Sequence, residues 1–72
     1  MESREMVYVA ACVATRYGRA GVVLHGYNLA QVINIAENLK GKIGYVAGDT
    51  FAVAVKRAGM MERNEPGAWG PL

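Results

Sequence analysis

His25 is the only imidazole of the chain and Cys12 the only thiol. Together they could form a nucleophile and base, since a thiol becomes reactive when a neighbouring base takes its proton. Nothing in their spacing brings them together, and the ordinary reading is a buried small thiol and a hydrogen-bonded histidine at a strand end. Asp49 falls in a turn and Glu37 on a helix, so no pair of carboxylates is set up for acid and base work. One cysteine excludes an internal disulfide and a four-cysteine metal site. No GxxxxGK[ST] or GxGxxG loop is present to cradle a nucleotide. The sequence therefore predicts a protein that is not an enzyme and uses no cofactor or metal.

Residues suited to binding are easier to find. In the stretch His25-Gly26-Tyr27-Asn28, Gly26 lets a backbone come close to a ligand. Asn28 opens a helix whose first amides carry partial positive charge and suit a phosphate, and Tyr27 could stack on a base or pack on a sugar. The competing reading is a plain strand-to-helix turn whose glycine permits a tight bend. Arg16-Tyr17-Gly18-Arg19 sets an aromatic between two guanidiniums, with charge for phosphates and a ring for stacking. Lys42, beside the helix end, and Lys56 and Arg57, at the close of the next segment, complete the candidate set. These residues would work as one site only if the arginine loop lay beside the HGYN turn.

The elements that must position them follow from periodicity. Residues 6–15 (MVYVAACVAT) fit a strand through the alternation of Val7, Val9 and Val13, and a helix through Met6, Val9, Val13 and Tyr17; both remain open. RYGRAG reads as a turn with a basic tip, and GVVLHG as a central strand buried on both faces. From Asn28 a helix is expected to about Lys40. Gln31 stands at the capping-box position, Leu29, Val32, Ile33, Ala36 and Leu39 supply a buried face, and Gly41 supplies a left-handed stop. KIGYVAGDTFAVAVKR is expected to form a β-hairpin, with AGDT as its turn. The expected fold is α+β: a small sandwich of a three- to four-stranded sheet with one or two helices and a C-terminal β-hairpin. Residues 1–59 form its single domain, and 60–72, with two prolines and no period, form a tail that Trp69 could pin.

Composition supports a folded domain, with 53% apolar and 19% charged residues. A chain of 72 residues buries only about 60% of the surface that its unfolded form exposes, so a lone monomer would be marginal. The net charge of +2 favours anionic partners weakly, but residues 6–61 carry six positive side chains against two negative ones. The longest apolar run, residues 6–14, falls well short of the roughly 20 residues of a membrane span. The opening MESREM lacks the basic region of a signal peptide. A cytoplasmic, unprocessed protein in a reducing compartment is expected, with no membrane partner.

The stretch VVLHGYNLAQVINIAENLKGK, residues 22–42, resembles the strand-helix core of the Alba superfamily, most closely its branch among the protein subunits of RNase P and RNase MRP. His25, Gly26, Leu29, Ala30, Ile33, Asn34, Ile35, Ala36 and Leu39 carry the likeness. The resemblance implies a dimer that binds RNA or DNA through a basic cleft and β-hairpin arms, with the turn before the helix on the nucleic-acid surface. Too few residues precede Val22 for the strand, lysine-bearing loop and first helix with which such proteins begin. Taken together, the sequence predicts a small non-enzymatic nucleic-acid-binding module, RNA before DNA, as a homodimer or a ribonucleoprotein component. Its candidate contacts are Arg16, Arg19, Gly26, Tyr27, Asn28, Lys42, Lys56 and Arg57. The alternative is an assembly subunit that docks an apolar sheet face and an alanine-rich strand on itself or on another protein.

Overall fold

The computed structural model describes residues 5–72. Two strands, β1 (Val7–Thr15) and β2 (Gly18–Gly26), form a hairpin closed by the two-residue turn Arg16-Tyr17. Helix α1 (Leu29–Glu37) follows, then β3 (Lys42–Asp49) and helix α2 (Phe51–Glu62). The sheet has the order β2-β1-β3, with β1 antiparallel to both neighbours. The fold is α+β, as expected. Residues 6–15, which fit either pattern, hold a strand from Val7, and no helix precedes Val22 among the described residues.

The central strand is β1, whereas GVVLHG was expected to be central and lies on the edge strand β2. Composition explains the exchange. Val9, Ala10, Ala11 and Cys12 are all 0% exposed, and small residues on a middle strand let helices approach both faces. Val9, flanked by Leu24 and Ala47, meets Val32 and Ala36 of α1. Ala10, flanked by Val23 and Val46, lies on the opposite face with Cys12, where Ala54, Ala58 and Met61 of α2 pack. The molecule thus has three layers and two apolar cores. Each sheet face is covered by one helix.

The expected C-terminal β-hairpin is corrected: β3 is a strand, but Phe51–Glu62 is a helix. Thr50 caps it by accepting from Val53 N at 3.3 Å. Ala54, Arg57, Ala58 and Met61 form its buried stripe, at helical spacing. The helix also runs past residue 59, so the segment expected as a tail begins inside α2. Its end is a Schellman motif: Asn64 sits at φ 55°, Asn64 N donates to Met61 O at 3.2 Å and Glu65 N to Met60 O at 2.9 Å. The chain then folds back, burying Ala68 in the α2-side core.

Helix α1 starts where expected. Asn28 Oδ1 accepts from Gln31 N at 3.2 Å. It stops at Glu37, short of Lys40, with Asn38 as C-cap and its side-chain amide donating to Asn34 O at 2.7 Å. Gly41, at φ +74°, shapes the connection to β3 instead. A Cβ there would lie 2.4 Å from Ala14 O, and Gly41 O accepts from Ala14 N at 2.7 Å. The segment between α1 and β3 is thereby pressed against the β1-β2 turn.

Candidate nucleic-acid interface

The hairpin register decides which candidate residues can act together. Thr15 pairs with Gly18 at one end of the β1-β2 ladder and Val7 with Gly26 at the other. At about 3.3 Å per residue, the arginine turn and the HGYN turn are roughly 25 Å apart. The structure does not bring them together.

At the HGYN end, Gly26 and Asn28 have work inside the fold. A Cβ at Gly26 would lie 2.9 Å from Val32 Cγ2, so the absence of a side chain lets the first buried residue of α1 settle on the sheet. The Asn28 side chain holds the Gln31 amide. Tyr27 is half exposed. The candidate cation whose charge reaches this end of the sheet is Arg57, and it is neutralised by Asp49, which lies opposite Tyr8. The turn bends the chain and starts the helix, which is the plainer of the two readings.

Two further candidates serve the fold. Arg57 is 3% exposed. Its Nε donates to Asp49 Oδ2 at 2.6 Å, and Nη1 donates to Ala68 O at 2.6 Å and Gly70 O at 2.8 Å. A guanidinium so enclosed has no face to offer a phosphate, and the expectation that Arg57 contacts a ligand is corrected. Arg19 is partly buried and donates from Nε to Met61 O at 3.0 Å, binding a carbonyl of the last turn of α2. Lys56 stands exposed on α2.

What remains gathers at the arginine end. An open depression there is lined by Ala14, Thr15, Arg16, Tyr17 and Lys40. Lys42, opposite Val13 in the ladder, stands exposed nearby. The turn is fastened by Thr15, whose hydroxyl accepts from Tyr17 N at 3.1 Å and donates to Gly18 O at 2.8 Å. It holds Tyr17 in solvent, 91% exposed. Gly18, at φ +121°, takes a backbone conformation that side chains disfavour.

The acidic groups of this half are engaged elsewhere. Glu62 accepts from Gly21 N at 2.9 Å, and Glu65 pairs with Arg63 at 3.1 Å. The Arg63 hydrogen bond draws the Glu65 carboxyl below its ordinary value. Glu37 acts on Tyr45, whose hydroxyl is pushed up first by burial and then by the Glu37 charge. Arg16, Lys40 and Lys42 have no ion-pair partner among the described residues. Lys40 is not among the expected contacts, and Tyr17 is read as the ring of the arginine motif without being named among them. The pattern Lys40-Gly41-Lys42 was the available signal for Lys40.

No group of three or more His, Cys, Asp or Glu among the described residues is placed to hold a metal, and no helix among them is long and apolar enough to cross a membrane. No protein-family model, curated protein or solved structure matches the chain.

Proposed function

We propose that this protein is a non-enzymatic nucleic-acid-binding module that meets its ligand at the end of the sheet carrying Arg16, Tyr17, Lys40 and Lys42. The observation that carries this reading is an open depression lined by Arg16 and Lys40, with Lys42 exposed nearby and none of the three in an ion pair among the described residues, while Glu62 and Glu65 of that half are bound within the protein. An unpaired cluster of positive side chains attracts a polyanion and releases its counterions on contact. The resemblance of residues 22–42 to the Alba superfamily points to the same class of ligand. The expected C-terminal β-hairpin is helix α2 here, so the contact is assigned to the basic end instead.

Filter binding of labelled RNA and DNA at two salt concentrations tests the proposal. Three phosphate contacts give a slope of log K against log salt of about −2 for a single strand and about −3 for a duplex. Arg16→Ala or Lys40→Ala should weaken binding to every sequence alike and flatten the slope by about one contact, whereas Lys56→Ala should leave it unchanged. Absence of binding at low salt, or equal loss from Lys56→Ala, removes the proposal.

A further inference from the structure

We infer that the ligand of the basic end is an unpaired strand, with Tyr17 as the platform on which one of its bases stacks. This deepens the proposed function and rests on it.

Three observations carry the inference. Tyr17 is 91% exposed, whereas Tyr8 packs edge-on against Phe51 with ring centroids 5.3 Å apart and Tyr45 packs against the α1-side core. An aromatic ring left fully in water contributes nothing to the core. The ring is also held ready, because the Thr15 hydroxyl bridges Tyr17 N and Gly18 O and fixes the two-residue turn that carries it. Ordering it against a ligand therefore sacrifices side-chain freedom alone.

Charge and ring also lie on one feature. Arg16 and Lys40 line the same depression as Tyr17, so a backbone crossing the depression would bring a base onto the ring. Bases inside a duplex are stacked on one another and cannot accept a protein ring on their faces; splayed bases of a single strand can. Three cations also match a few phosphates of one strand better than the wide double row of a duplex.

The experiment is fluorescence anisotropy with labelled oligouridine and oligodeoxythymidine of about a dozen nucleotides, beside a duplex of equal length, for the full chain and its Tyr17→Ala, Tyr17→Phe, Tyr27→Ala and Arg16→Ala variants. Circular dichroism checks that each variant folds. The expected result is single strands bound at least about tenfold more tightly than the duplex. Tyr17→Ala should lose about tenfold, while Tyr17→Phe and Tyr27→Ala keep the affinity. Equal affinity for duplex and single strand, or an unchanged Tyr17→Ala beside a weakened Arg16→Ala, overturns the inference and leaves the phosphate-binding reading standing. Loss from Tyr27→Ala without loss from Tyr17→Ala overturns it as well. No binding of either form overturns the reading beneath it.

Discussion

Gly21 and Gly44 flank Cys12 on the same face of the sheet, and a methyl group would cost them different amounts. At Gly21 a Cβ would lie 2.0 Å from the carbonyl oxygen of Ala58, a backbone atom in the middle of α2. At Gly44 it would lie 2.8 Å from Trp69 Cζ3, the edge of a half-exposed side chain outside the helices. Gly21→Ala should destabilise by about 3 kcal/mol or more, at or beyond the upper end of overpacking, and Gly44→Ala by about 1 kcal/mol. Chemical denaturation of the two variants checks the order; equal losses would show that α2 can lift off β2. Tyr45 has a pH signature. Its hydroxyl is raised above 10.0 in the folded chain, so the neutral form is favoured by folding. That contribution is complete below pH 10 and is lost as the pH climbs through the folded value. Glu37→Gln should bring the Tyr45 titration part of the way back toward 10.0, leaving the share due to burial, as ultraviolet absorbance of the phenolate would record.

The helices are fastened at their starts by single side chains, Asn28 for α1 and Thr50 for α2. Replacing either with alanine should cost about 1 kcal/mol. Because the two helices lie on opposite sheet faces, the double variant should lose close to the sum. Thermal melts of the three variants measure both points. The same two elements explain what could and could not be read in the sequence. In α1 the cap and the residues Val32 and Ala36 coincide with burial, while Leu29, expected on the same face, stays exposed and Leu39 falls beyond the helix. In α2 pattern and burial are opposed: Phe51 and Val55 are exposed, while Ala54, Arg57 and Ala58 are buried. Close approach to Gly21 admits only small residues on the inner face, and the ion pair with Asp49 lets an arginine lie inside. Counting apolar residues therefore picks out the alternation of Phe51, Val53 and Val55 and misses the helix. The edge position of β2 was hidden for a related reason: its valines outrank the alanines of β1 in hydrophobicity, but the alanines permit a helix on each side.

Across the whole molecule, charge is distributed unevenly along the strands. The end with Arg16, Lys40 and Lys42 carries cations without ion-pair partners among the described residues, whereas Arg57, which reaches Asp49 just before the start of α2, is neutralised there. Sequence order hid this arrangement. Lys40 and Lys42 are over twenty positions from Arg16, and only the antiparallel ladder and the contact of Gly41 with Ala14 make them neighbours. Arg19 and Arg57 looked equivalent to Arg16, because a guanidinium that binds carbonyls inside the protein and one that faces water are the same letter. Residues 63–72 provide a last integrating feature. They return along the α2 side, with Arg57 gripping two of their carbonyls and the indole of Trp69 over Gly44. As the sole tryptophan of the chain, Trp69 makes this returning segment its own optical reporter. An emission change that precedes loss of the far-ultraviolet signal would time the peeling of that segment apart from melting of the sheet, with no label attached.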